Sequence, residues 1–203
     1  MNAAAAKRVL NVGGNSKAIP LPPIYAGWEH VLLDIDPAGK PDIVCDARNM
    51  YDLPGASFDA IYCSHNLEHY FLHDAVDVVL GFLHVLRDDG FIEIRVPDVG
   101  ELMRLVAQNN WDISDTVYVS MLGPISVRDM LYGFQKQIEQ SGNDFFAHKN
   151  GFTRESLTEL LTECGFKHCF VSTADIEIVV YAFKQPPNAY ARELLHLEKM
   201  EGK

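Results

Sequence analysis

A strand-like run that breaks on paired glycines constrains this chain more than any other feature. Val9-Leu10-Asn11-Val12 is short and mostly apolar, and Gly13-Gly14-Asn15 stops it in a turn where backbone can approach a ligand closely. About twenty residues further on, Leu32-Leu33-Asp34-Ile35-Asp36 ends a second apolar stretch in acid. An acid at the tip of the next strand is the usual partner of a ribose. Together these features imply a ligand that contains a nucleoside.

The residues after the glycines narrow the choice. A dinucleotide needs its pyrophosphate on a helix that starts directly after the turn. Here the turn runs on through Pro20, Pro22 and Pro23, and each proline lacks an N–H and restricts the residue before it. At most a short helix could begin at Pro22 or Pro23 and end near Gly27. Gly13-Gly14-Asn15 is also not Gly-x-Gly-x-x-Gly. S-adenosylmethionine tolerates the missing helix, because it carries ribose and adenine without phosphate.

Size and charge bound the rest. At 203 residues the chain is long enough for one domain with a filled core, so residues 1–203 are expected to fold as one unit. Residues 1–8 are too short and weakly apolar for a signal peptide, and no apolar run approaches the roughly 18 residues that span a membrane. A cytoplasmic protein without membrane contact is expected. A net charge of −11 disfavours nucleic acid and favours a small molecule, a glycan precursor or a protein as partner. Cys45, Cys63, Cys164 and Cys169 form no Cys-x-x-Cys pair, which fits reduced thiols.

Apolar runs at Arg8–Val12 and residues 30–35, 42–45 and 58–63 read as strands. A helix fits 74–86, with Val78, Val79, Phe82, Leu83 and Leu86 on one face, and Asp88-Asp89-Gly90 ends it before a strand at 91–96. This alternation argues for an α/β fold with a doubly wound, mostly parallel sheet. Only residues 37–41 separate the second and third strands, less than a parallel crossover usually needs. Either the third strand is vestigial or its crossover is a bare loop. Helices are expected at 100–108 and 127–140, the latter with Met130, Leu131, Phe134 and Ile138 on one face. Thr153-x-x-Ser156 opens another over 155–164, and Gly165 closes it. Strands at 167–172 and Glu177–Phe183 read as a hairpin. Residues 185–203 form a tail in which 190–200 is expected to be helical, with Leu194, Leu195 and Leu197 seeking a partner surface; a homodimer through that helix is expected.

Several segments in order resemble the class I S-adenosylmethionine-dependent methyltransferases. They are Val9 to Gly14, Leu33 to Pro37, Asp42 to Ala47, Phe58 to His69, Leu86 to Pro97, and His148 to Thr153 running on to Cys164-Gly165-Phe166. The chain is most similar to small, type 11-like bacterial members associated with sugar and polysaccharide modification. The resemblance implies a Rossmann-like methyltransferase fold, a seven-stranded-type sheet with an antiparallel C-terminal hairpin, and a helical insertion over residues 98–150 that covers the substrate. It also implies S-adenosylmethionine as cofactor and methyl transfer, expected as O-methylation, to a small-molecule or glycan-precursor acceptor. The competing expectation is a binding or scaffold protein that kept the fold and lost the reaction.

Site residues follow from the same resemblance. Asn11, Gly13, Gly14 and Asn15 fall in the cofactor loop, although Asn11 replaces a frequent acid and Lys17 a frequent glycine. Asp34, with Ile35 beside it, is the expected ribose ligand, with Asp36 in competition. Asp46 and Ala47 fit the pair that meets adenine, or else Asp46 simply opens a turn. Ser64 ends the fourth strand beside the cofactor. His65 and His148 are the candidates for a base that removes the acceptor's proton. Tyr132 and Gln135 could shape the acceptor pocket, and Tyr132 could equally be core. His65-Asn66-Leu67-Glu68-His69 also matches an inverted zinc-protease motif, with His73 four residues on if one helix spans them. Directly after a buried strand, Glu68 and His69 read better as residues that tie the loop to its neighbours, and no metal is expected.

Overall fold

The computed structural model describes residues 6–202; residues 1–5, part of the stretch read for a signal peptide, and residue 203 lie outside it. The first half comprises strands β1 (Arg8–Val12), β2 (Glu29–Asp34), β3 (Ile43–Val44) and β4 (Phe58–Ser64), helix α1 (Leu72–Val85) and strand β5 (Leu86–Pro97). Then come α2 (Val99–Asn109), β6 (Thr116–Ser120), β7 (Gly123–Ser126), α3 (Val127–Tyr132), α4 (Gln135–Ser141) and α5 (Arg154–Cys164). The chain closes with β8 (His168–Ala174), β9 (Glu177–Phe183), α6 (Ala189–Leu194) and β10 (Glu201–Gly202).

The strands order as β10-β8-β9-β5-β4-β1-β2-β3. β1 to β5 pair in parallel, and β9 runs antiparallel between β5 and β8. This is the expected mostly parallel sheet with its C-terminal hairpin, extended by the two-residue edge strand β10. β3 is both vestigial and reached without a helix, through a 3-10 turn at Pro37–Gly39.

Strand alternation sorts the core into two layers. Leu10 and Val12 of β1 face a core shared with Val78 and Phe82 of α1 and with Leu157 and Leu161 of α5. Val9 faces the other way, toward Tyr25, Phe91, Tyr181 and Phe183. That second layer is thin because the prolines leave only a 3-10 turn, Pro23–Tyr25, between β1 and β2. Tyr25 fills the space, stacked on Phe91 and edge-on to Trp28 and Tyr62.

Four expectations are corrected. α1 stops at Val85, and β5 already begins at Leu86, which is buried and pairs with Phe58; a register shift between Phe58 and Ala60 absorbs Asp88-Asp89-Gly90 into the strand. The single helix expected over 127–140 breaks at Gly133, whose φ of 89° lies outside the helical region. The insertion holds a β6–β7 hairpin besides its helices. The tail is helical only over Ala189–Leu194, and Leu195 and Leu197 are buried in the chain's own second layer, not presented to another copy.

Candidate active site

Ligands in open α/β sheets bind outside the carboxyl ends of the strands. Here Gly13 follows β1, Asp34 ends β2 with Ile35 after it, and His65 follows β4, and these line a cleft of about 220 Å³ with Asn15, Asp46 and Lys149. A larger cavity of about 740 Å³ lies beside it, walled by Trp111, Tyr118, Met130, Phe134 and His148 of the insertion region and by Glu177 at the start of β9. His65 lines both.

The loop after β1 is built tightly. Gly13 has φ 71°, and a Cβ there would stand 2.1 Å from Asn66 Nδ2. A Cβ on Gly14 would stand 2.1 Å from Asn11 Nδ2. Asn11 is buried, with Nδ2 3.2 Å from His30 Nε2, so it supports the loop from behind. Asn15 has φ 59° and its N–H donates to Asp34 Oδ2 at 2.9 Å. Lys17 pairs with Asp42 next to β3, which ties the loop to the sheet edge.

Asp34 is 8% exposed and also accepts from the Asp36 N–H at 2.9 Å. A carboxylate offers about four lone-pair sites, so two acceptor sites remain for ribose hydroxyls. Asp36 lines the same cleft and caps the Pro37–Gly39 turn, accepting from Ala38 N–H. Asp46 also opens a turn, accepting from Arg48 N–H, and Arg48 closes a guanidinium fork on it at 2.6–3.1 Å. Arg48 holds the Asp46 carboxyl below the usual carboxylate range. Of the expected cofactor residues, Gly13, Asn15, Asp34, Ile35 and Asp46 line the cleft; Asn11, Gly14, Ala47 and Ser64 do not.

His65 sits at φ 48°, in the left-handed region, directly after β4. Its Nε2 lies 2.8 Å from Glu177 Oε1 and its Nδ1 lies 3.4 Å from Glu68 Oε1. Desolvation opposes the imidazolium, but the flanking Glu177 and Glu68 outweigh it and push the pKa up to about 10. Those carboxylates favour the protonated ring, which works against His65 as a general base. His148 behaves in the opposite way. Burial lowers its pKa, partly offset by Glu68, and its Nδ1 donates to Met130 O at 2.9 Å.

Glu68 and His69 lie in a 3-10 turn, Leu67–His69, and α1 begins only at Leu72, so the helix that the zinc-protease motif requires is absent there. The tethering role expected of them is visible. Glu68 O accepts from the N–H groups of Lys149 and Asn150, and His69 Nδ1 donates to Ala147 O at 3.1 Å. Tyr132 is exposed and Gln135 donates to Gly133 O; Met130 and Phe134 line the large cavity instead. Sequence reasoning missed Asn66, Tyr70, Phe71 and Lys149 in the smaller cleft, and Glu177 in the larger. Glu177 reaches His65 across 112 residues, a separation for which the sequence offers no signal.

Comparisons with known proteins bear on the fold. Residues 26–94 match a model described as a methyltransferase domain. No curated protein sequence matches the chain. Among solved structures, the fold is similar to a SAM-dependent methyltransferase from Archaeoglobus fulgidus, at 16% identity and TM-score 0.53, over 88% of this chain and 86% of that one. It is also similar to a possible histamine N-methyltransferase from Thermotoga maritima, at 13% identity and TM-score 0.53, over 88% of this chain and 82% of that one. A third is the 1,6-didemethyltoxoflavin-N1-methyltransferase of Burkholderia thailandensis, solved with S-adenosylhomocysteine, at 15% identity and TM-score 0.52, over 89% and 72% of the respective chains. Residues 26–94 thus match a methyltransferase domain, and the chain has the fold of these S-adenosylmethionine-dependent methyltransferases.

Proposed function

We propose that the protein transfers a methyl group from S-adenosylmethionine, held in the smaller cleft, to a hydroxyl of a small molecule held in the larger cavity. The observation that carries this is the meeting of the two spaces at His65. Methyl transfer from a sulfonium is an in-line displacement, so the protein's main task is to align donor and acceptor across such a junction. In this proposal Asp34 receives the ribose, Gly13 and Asn15 cradle the methionyl end, and Ile35 and the segment at Asp46 border the adenine.

The cavity volume suits a small-molecule acceptor, and its aromatic and polar lining matches the usual makeup of such sites. The net charge of −11 supports a partner other than nucleic acid. A glycan precursor fits both points. No helix of the described residues is long and apolar enough to cross a membrane.

Calorimetric titration with S-adenosylhomocysteine tests the cofactor half; no heat at millimolar ligand would refute it. A screen of hydroxylated acceptors for release of S-adenosylhomocysteine tests the reaction. One observation favours a binding protein without turnover: the Arg48 fork leaves Asp46 little acceptor capacity. That alternative predicts no product with any acceptor, whether or not cofactor binds.

A further inference from the structure

We propose that Glu68, His69 and His148 form a binding site for one divalent transition-metal ion between the two cavities. One ligand atom from each of the three residues falls within 4.8 Å of the others. Glu68 Oε1 lies 4.0 Å from His148 Nε2. The rings of His69 and His148 meet edge to face with centroids 5.0 Å apart.

The independent observation is Glu68 itself. It is 1% exposed; Oε1 has an ion-pair contact with His65 Nδ1 at 3.4 Å, neither oxygen receives a hydrogen bond, and Oε2 has no partner at all among the described residues. Buried polar groups are almost always satisfied, so a carboxylate with one long ion-pair contact and one unpartnered oxygen calls for an ion or another partner that the protein atoms do not supply. The same residue is anchored firmly by its backbone, whose carbonyl accepts from both Lys149 and Asn150. The carboxylate is therefore held in place with Oε1 beside His65 and Oε2 without a partner.

The histidines have the support that ligating imidazoles have. A carbonyl can only accept, so His69 Nδ1 must carry the proton it gives to Ala147 O, and His148 Nδ1 the proton it gives to Met130 O. On binding a metal each ring would present Nε2 as its lone-pair nitrogen. Fixing the tautomer through the remote nitrogen is the common outer-shell device of metal sites. Ligands about 2.1 Å from a shared ion stand no more than about 4.2 Å apart, so the trio needs to close by about half an ångström.

Two imidazoles and one carboxylate select zinc, cobalt, iron or manganese over calcium and magnesium, which prefer oxygen. Entry is available from either side, since His69 lines the smaller cleft and His148 the larger cavity. A ligand oxygen from the larger cavity can complete the coordination. His65 is not counted in the set, because Glu177 holds it at 2.8 Å.

The test uses the full chain, stripped with chelator and free of cofactor and acceptor, so that it stands apart from the methyltransferase proposal. Titration with Co²⁺ should give one equivalent per chain and a visible absorption band, with at least about tenfold tighter binding than Mg²⁺. Glu68→Gln and His148→Gln should each weaken Co²⁺ binding at least about tenfold, whereas His73→Ala should not. On the unmutated protein, Mn²⁺ should broaden the imidazole resonances of His69 and His148 before that of His73, which keeps the test valid if a variant misfolds. No Co²⁺ binding at millimolar ion would overturn the proposal. So would binding unchanged in both folded variants, or Mn²⁺ broadening that spares His69 and His148.

Discussion

Asp34 has two tasks at once. Its carboxylate accepts from Asn15 and Asp36 backbone N–H groups, which fixes the turns after β1 and β2, and it keeps acceptor capacity toward the cleft. Asp36, two residues on, caps a single surface turn. If Asp34 receives the ribose as proposed, replacing it by Ala removes a charged acceptor from the hydroxyls, a loss of about 1.5–3 kcal/mol, or about ten- to a hundredfold in affinity. We expect calorimetry to show that loss for S-adenosylhomocysteine with Asp34→Ala, and less than about a threefold change with Asp36→Ala. Equal titration curves for wild type and Asp34→Ala, or a larger loss at Asp36, would reassign the ribose carboxylate. At this scale the sequence displayed the strand-tip acid and the glycine pair, because both are local patterns. It could not display why the glycines are needed: a Cβ at Gly13 meets Asn66, and one at Gly14 meets Asn11, contacts made only once the chain has folded. His65 is the sharper case. Its placement at the tip of β4 was legible, but its charge is set by Glu177 from a distant strand.

Among the elements, those with long runs of one period were readable and the insertion was not. α1, α5 and the β8–β9 hairpin combine clear periodicity with recognisable end signals, such as the reciprocal Thr153–Ser156 cap of α5. The β6–β7 hairpin left a signal that was passed over: Thr116-Val117-Tyr118-Val119 is β-branched and aromatic, with Gly123-Pro124 after it. Residues 127–140 misled in the other direction, because Met130, Leu131, Phe134 and Ile138 keep helical spacing straight through Gly133. A glycine inside a helix costs only about 1 kcal/mol, so its presence does not decide the matter from sequence. Tertiary contact decides it. Gly133 takes φ 89° and ψ 159°, a region essentially restricted to glycine, and a Cβ there would lie 2.4 Å from Phe146 O. Gly133→Ala should therefore cost about 1–3 kcal/mol in denaturant unfolding and raise hydrogen exchange in α3 and α4 above that of α1. Unchanged stability and exchange would mean that the backbone there adapts freely, and that the break between α3 and α4 is not enforced by this residue.

For the molecule as a whole, the two faces of the sheet are covered by different means, and the tail belongs to this balance. One face carries α1 and α5 over a large apolar core; the other has a 3-10 turn, Tyr25, and the C-terminal segment. From Tyr25 a polar chain crosses the sheet to the site: its hydroxyl donates to Glu93 at 2.8 Å, Arg95 joins Glu93 to Glu177, and Glu177 meets His65. The thin face is thus linked by hydrogen bonds to the junction between the two cavities. Leu195 and Leu197, at 5% and 2% exposure, close that face where a full crossover helix is missing. Their apolar spacing suggested a dimer from sequence, since a stripe of leucines states only that a cover is required, not which chain provides it. Leu195→Ala should then act as a core truncation, costing about 2–5 kcal/mol with a matching fall in melting temperature. Sedimentation velocity should give wild type and Leu195→Ala the same mass across a hundredfold range of concentration. A variant with unchanged stability but a concentration-dependent shift in mass would return these leucines to an interface between two copies.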